Sequence, residues 1–450
     1  MPAVSTSVYI QGENNIRSWL KEKGFNANIP RRSIMCISGV DLCPMASACS
    51  CGELEVCKWL YNHGAGEDVS YIDLKGNTPM HWACLMGHLE VSIWLSELVA
   101  ADDITRNNNS GATPMHNACL NGHIVVCKWL LSMQASIYCK NVASETPMHF
   151  ACKGGHVSVC QWLFENGAAG DVTRISNLDF TPMLLACRYG HLPVCQWLFE
   201  AGAVRDICTP SRKGYTPLSF ACRNGDLTLC QWLFEVGATK DISRVNSESE
   251  TPMIMACRGG HLPLCKWLFD TGAHEDIKRA DMHGSTPMNV ACEWGRISVC
   301  KWLFEQGAAD DITKANMHGH TPFSLAIEYQ RYSTCKWLIC VGALNNATTG
   351  HIDEVLVRNT IRRHKAYRHC LQEWSKKVIT LHDIFLNVFL HACIVDTSQM
   401  KMTSNGECYL PKLPRCLLQH IAVFLEVETG RKLRNVREFF FALRDVSLFS

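Results

Sequence analysis

The stretch TPMHFACKGGHVSVCQWLFENGA, residues 146–168, packs two Cys, two His and a Trp into 23 residues. Taken alone, these side chains suit a metal site or a thiol centre. Their spacing says otherwise. Thr146 is a good N-cap, and Pro147 fits the first helical position, where its missing N–H has no partner to lose. Met148, Ala151 and Cys152 then share one helical face, and Gly154-Gly155 stops the helix. Val159, Trp162 and Leu163 repeat that spacing on a second helix, which Gly167 ends as a left-handed cap. The segment that follows, DVTRISNLDF, is polar and rich in turn residues and predicts a projecting hairpin or loop.

The same unit recurs along the chain. Thr-Pro pairs begin at Thr78, Thr113, Thr146, Thr181, Thr216, Thr251, Thr286 and Thr321, 35 residues apart except for one step of 33. Cys43-Pro44, 35 residues before Thr78, marks a degenerate first copy, for nine in all. A Trp stands 16 residues into every copy: Trp59, Trp94, Trp129, Trp162, Trp197, Trp232, Trp267, Trp302 and Trp337. Such periodicity predicts an all-α solenoid of helix-turn-helix-loop units, each burying its apolar faces against its neighbours. The nine Trp are expected to form a ladder joining second helices. Each would bury ~150–250 Å², worth at most ~4–6 kcal/mol.

These motifs resemble the ankyrin repeat. The family's T-P-L-H-x-A motif appears as Thr78-Pro79-Met80-His81-Trp82-Ala83 and again at Thr113 and Thr146. Its G-H and G-A signatures appear as Gly190-His191 and Gly202-Ala203. The resemblance covers about 41–345. The family period is 33, so most copies here carry two extra residues, expected in the loop. Leu184, Ser219, Ile254, Asn289 and Ser324 replace the motif His in later copies, so first-turn hydrogen bonding must differ there. Residues 1–40 are expected to cap the array with a partial repeat, Trp19 of NIRSWLKEKGF filling the Trp slot. Residues 346–450 leave the repeat and predict a small helical C-terminal module.

Within this frame the Cys and His read as architecture. Cys occupies the sixth position after the copy start eight times (Cys49 to Cys292) and the fourteenth eight times (Cys57 to Cys335). Both slots lie on apolar helix faces, where Cys behaves as a small hydrophobe. Zinc needs clustered ligands, and no C-x-x-C occurs. The crowd of Cys36, Cys43, Cys49, Cys51 and Cys57 and the tail trio His364, His369 and Cys370 are no stronger. His88, His123, His156, His191 and His261 follow a Gly and are expected to bond the turn. No metal, no cofactor and no catalytic residue is predicted; phosphate-cradling Gly loops, G-x-S-x-G and H-E-x-x-H are missing.

Bulk properties agree. The 450 residues are 47% hydrophobic and 19% charged, with net charge +1, so no overall field favours nucleic acid or membrane. Residues 351–450 carry 15 Lys and Arg against 10 Asp and Glu, which sets the tail apart. The N-terminus lacks a signal-peptide pattern, and the greasy stretch 378–395 is too polar to span a bilayer. The expectation is a soluble, cytoplasmic protein, with the nucleus also open, whose 26 Cys are mostly reduced.

Function must then lie in positions that vary between copies. Seven residues after the copy start the series runs Leu85, Leu120, Lys153, Arg188, Arg223, Arg258, Glu293, Glu328. The resemblance implies that this end of the first helix faces a concave groove. Tyr189, Trp294 and Tyr329 adjoin it, and Phe180 and Tyr215 precede the Thr-Pro pairs. Lys153, Arg188, Tyr189, Arg223, Arg258, Trp294, Tyr329, Phe180 and Tyr215 are the candidate partner-binding residues, the cations suiting an acidic segment. The alternative is a solvated face whose charges pair with neighbours. In the tail, Leu413-Pro414-Arg415-Cys416-Leu417-Leu418 through Leu425 looks like the opening of an F-box and somewhat like the Leu-Pro part of a SOCS box. That resemblance implies a cullin-ligase adaptor docking at 380–443 and a substrate-receptor role. The alternative is a cap on the last repeat.

Overall fold

The computed structural model describes residues 13–25, 35–37, 40–98, 102–341 and 343. The helices expected after residue 346, with the motif at 413–425, lie outside the described residues. By packing, the chain divides into two units, Met1–Asp276 and Ile277–Ser450, the division falling within the seventh copy.

In the first unit, seven copies follow one plan. Their first helices are Pro44–Cys51, Pro79–Met86, Pro114–Leu120, Pro147–Gly154, Pro182–Arg188, Pro217–Asn224 and Pro252–Gly259. Their second helices are Leu54–Leu60, Leu89–Leu98, Ile124–Ser132, Val157–Glu165, Leu192–Glu200, Leu227–Glu235 and Leu262–Asp270. Pro is at the first helical position of every first helix, as the sequence predicts. First helices pack on first helices in chain order, and each also packs on its own second helix. Met80, Met115, Met148, Met183, Leu218 and Met253 are fully buried at the same slot of successive copies. The second unit repeats the plan with Pro287–Glu293 and Ile297–Glu305, then Pro322–Glu328 and Tyr332–Cys340.

Helix Glu13–Glu22 buries Ile16, Trp19 and Leu20 and packs on Leu54–Leu60, the place of a preceding second helix. A short antiparallel pair, Met35–Ile37 with Val40–Leu42, is an addition to the helical plan. It lies just before the first copy, where later copies carry their hairpin loops. Those loops bond to one another: Asn109 N–H donates to the Lys75 carbonyl (2.9 Å), Val142 N–H to Ser110 (2.9 Å) and Asn177 N–H to Ala143 (2.8 Å). The extra residues lie elsewhere, in the short helical turn after the second helix, such as Ala168–Asp171 or Val204–Cys208, which the 33-residue third copy lacks.

Among the described residues of the first unit, no ring contact joins two tryptophans. The ring of Trp197 meets Phe164 edge-on at 6.0 Å, Trp232 meets Phe199 at 5.9 Å, and Trp267 meets Phe234 at 5.7 Å. In the second unit Trp337 meets Phe304 in the same way, at 5.9 Å. The ladder is therefore Phe to Trp, an arrangement that satisfies ring quadrupoles. Trp197, Trp232 and Trp267 stay half-buried, so the burial energy expected from sequence is an upper bound for them.

Candidate partner-binding surface

The Cys of the opening stretch are core residues, and they touch. Cys152 and Cys160 bring their sulfurs to 3.6 Å inside one copy, both fully buried. Burial, and then each other's proximity, pushes the Cys152 thiol well up. Among the described residues no group of three or more His, Cys, Asp or Glu side chains could hold a metal ion. None of the described helices is long and apolar enough to cross a membrane.

The two His slots build bonds between copies. His81 takes the Thr78 N–H on Nδ1 (3.2 Å), and its Nε2 reaches the Ala112 carbonyl of the next loop (3.2 Å). His116 does the same with Thr113 and Glu145. Burial pushes both imidazoles down to about 4. The His after Gly reaches backward. His88 meets the Ser50 carbonyl (3.1 Å), His123 that of Leu85 (3.1 Å) and His191 that of Lys153 (3.0 Å). Its ring lies against the preceding copy's Gly. A Cβ on Gly87, at φ +81°, would come within 2.3 Å of His123. Where Asp226 replaces this His, it caps its own helix at the Leu229 N–H (3.0 Å) instead. In the second unit Arg331 keeps the backward bond, to the Glu293 carbonyl (2.9 Å).

These bonds fix the ends of the first helices side by side, and the candidate residues stand there. In the fifth, seventh and ninth copies the residue before the Thr and the residue seven after it face each other. Sequence reading placed them in separate lists; the fold joins them. Arg188 lies over Phe180 (5.4 Å from the ring centre). It also lies over Tyr189 (5.9 Å) and over Phe220 of the next copy (5.7 Å). Lys153 lies over Phe150 (5.8 Å) and Tyr189 (5.7 Å). Tyr215 stacks on Phe220 at 5.0 Å, and Phe180 approaches Phe220 at 5.9 Å. Burial, and then Glu250 and Glu248, raise the Tyr215 hydroxyl. Phe150 and Phe220 were not among the sequence candidates. Phe150 stands three residues before Lys153 on one helix, so the i, i+3 rule could have found it.

The cations are not equivalent. Arg188 and Arg223 are exposed, and no ion pair reaches either among the described residues. Arg258 is half-buried and forms an ion pair with Glu250, which is itself 3% exposed and hydrogen-bonded to Asn246 (2.8 Å). Glu250 occupies the slot of Phe180 and Tyr215. Arg258 is thus held by its own copy, as the solvated-face alternative has it for this residue. In the second unit Trp294 and Tyr329 are 43% and 46% exposed beside Glu293 and Glu328. The Glu293 charge, then burial, raises the Tyr329 hydroxyl. His320 and Glu328, in the facing slots, approach to 3.5 Å.

Helix pairs of this form, stacked through a Thr-Pro-His turn and tied by loop hairpins, define an ankyrin stack. The chain belongs to the ankyrin-repeat family: the model for ankyrin repeats (3 copies) matches 8–108, 95–175, 135–210, 170–244, 218–316 and 279–349. No curated protein matches the chain. Membership makes it a protein–protein interaction scaffold whose partners are proteins.

Proposed function

We propose that the scaffold captures a protein partner bearing an acidic segment, through Lys153, Phe180, Arg188, Tyr189, Tyr215 and Arg223. The observation that carries this reading is the row in which Lys153 and Arg188 are laid on Phe150, Tyr189, Phe180 and Phe220. A guanidinium held among rings loses little further freedom on binding, and Arg188 remains exposed and able to meet carboxylates. Exposed Arg and Tyr of this kind are favoured as interface anchors. Arg258 contributes field and rigidity through Glu250 rather than direct contact. Trp294 and Tyr329, in the second unit, form a separate contact of opposite charge. No residue is assigned a catalytic role.

The test is quantitative capture from extract with the full chain and with the double variant Arg188→Glu, Arg223→Glu. Both side chains are exposed, so the variant should keep its helical signal and melting temperature. Its capture of acidic partners should drop at least ~10-fold, since reversed charges repel as well as fail to attract. Equal capture by both forms would overturn the reading. Arg258→Glu is no substitute, because it would set a second carboxylate against the buried Glu250. A second reading rests on the Leu413–Leu425 motif, which would make the scaffold a cullin-ligase substrate receptor. A cullin and its adaptor captured equally by both forms would support that role for the tail.

A further inference from the structure

Seven copies place two thiols face to face. The sulfur pairs are Cys49–Cys57 (3.7 Å), Cys119–Cys127 (3.7 Å), Cys152–Cys160 (3.6 Å), Cys187–Cys195 (3.4 Å), Cys222–Cys230 (3.7 Å), Cys257–Cys265 (3.8 Å) and Cys292–Cys300 (3.6 Å). Each joins the first helix of a copy to its second. All fourteen residues are fully buried. A small apolar core slot could be filled by Ala or Val in either position. Here the same two slots hold Cys together in seven copies, while the motif His beside them changes to Leu, Ser, Ile and Asn. Two copies lack one member. Cys84 faces the Ser92 hydroxyl (3.7 Å), and in the ninth copy Ile327 stands where Cys335 would find its partner.

We propose that these seven pairs are latent disulfides, an intra-copy redox lock that closes under hydroperoxide and staples the two helices of each copy. Bonded sulfurs stand ~2.05 Å apart, so each pair must close by less than ~2 Å, with no atom added to the packed core. The chemistry balances. One thiol sulfur attacks hydrogen peroxide, the O–O bond breaks, and sulfenic acid and water form. The facing sulfur then attacks the sulfenic sulfur, the S–O bond breaks, and a second water leaves with the thiol proton. Two electrons pass from the pair to the peroxide. A buried thiol is a slow nucleophile, so the first step runs in transiently opened copies. The second is fast because reclosing of the copy brings the partner sulfur back into contact, and it outruns further oxidation to sulfinic acid. Bonds formed this way reopen with dithiol reductants.

The experiment uses the reduced full chain exposed to hydrogen peroxide. Remaining thiols are alkylated in denaturant, and peptides are analysed without reduction. Trypsin cuts after Lys153, Arg188, Arg223, Arg258 and Arg296, between the members of five pairs, so each closed lock joins two peptides. The expected result is intra-copy links that vanish with dithiothreitol, a Cys84 that stays alkylated, and a higher melting temperature after oxidation. Cys195→Ser recreates the thiol–hydroxyl contact that the second copy already tolerates. It should abolish only the link to Cys187 and leave the others. The proposal is overturned if the paired thiols remain free while exposed Cys51 oxidises, with sub-denaturing urea opening the copies. Links scattered between copies, or sulfinic acids in place of links, would overturn it equally.

Discussion

The second and third copies and the fifth to seventh solve the same first turn in different ways. In copies two and three a buried imidazole bonds the Thr backbone on one side and the next loop's carbonyl on the other. In copies five to seven Leu184, Ser219 and Ile254 fill that slot, and the Thr hydroxyl accepts the N–H of the same residue (3.2 Å in each). The first solution ties a copy to its neighbour through a polar link and desolvates a base. The second keeps the cap local and leaves cohesion to apolar packing and the Phe–Trp contacts. A polar bridge must stay satisfied and neutral, whereas an apolar slot need only stay full. The two halves of the array should therefore fail under different stresses.

The largest effect is expected from breaking one bridge. His116→Ala leaves a cavity and an unpaired Thr113 N–H, and removes one of two bonds to the Glu145 carbonyl, which still accepts the Asn141 N–H (3.0 Å). A loss of ~3 kcal/mol, localised to copies three and four, is expected from these together. Hydrogen exchange resolved by peptide would show it as lost protection at 113–145, because repeat stabilities are local. Leu184→Ala should cost a similar amount through its cavity alone, but without exposing the following loop. Equal loss of loop protection in both variants would mean that the bridge does not couple copies.

Acidification separates the halves by sign. His81 and His116 titrate near 6.5 when unfolded and at about 4 when folded, with burial as the main cause. The unfolded chain binds more protons between those values. Their contribution is complete above pH 6.5 and is lost as pH falls toward 4, by at most ~1.4 kcal/mol per pH unit for each His. Asp206 in the fifth copy behaves oppositely. Burial raises its carboxyl from 3.8 to about 6. The folded state then holds the extra proton, so its contribution is present below pH 3.8 and is lost as pH rises through 6. Between pH 4 and 6, copies two and three should gain exchange protection with rising pH while copy five loses it. A common direction across the array would refute the assignment.

The helix pairs, their Thr-Pro starts and the Trp slot were all legible, because each follows from spacing along one helix or turn. What escaped were contacts whose partners lie eight or more residues apart. Cys152 and Cys160 were each recognised as core, but nothing in an i, i+3, i+4 pattern says that the turn at Gly154-Gly155 folds them together. Phe180 and Arg188 were both singled out and not joined, for the same reason. A signal was present: Arg is kept seven residues after the Thr in the fifth to seventh copies, and each time the residue before the Thr is one that can hold a cation, Phe180, Tyr215 or Glu250. The backward reach of His88 to Ser50, 38 residues away, required the stack itself.

The smallest effect sharpens the acid comparison by removing its odd member. Asp103, Asp171 and Asp241 each meet an Arg three residues on, at 3.1, 2.5 and 3.2 Å. Asp206 meets Thr209 in that slot, and its Oδ2 is buried without a partner. Thr209→Arg should supply the missing cation. An ion pair with one exposed partner is worth ~0.5–1 kcal/mol, and it favours the charged carboxylate. The Asp206 carboxyl should move down from about 6, and copy five should lose its instability at neutral pH. Exchange protection of 182–208 at pH 7 should rise in the variant and match wild type at pH 4, where the carboxylate is largely protonated in the wild-type fold. An equal gain at both pH values would trace the effect to packing of the arginine stem and leave the buried carboxylate without a role in the acid response.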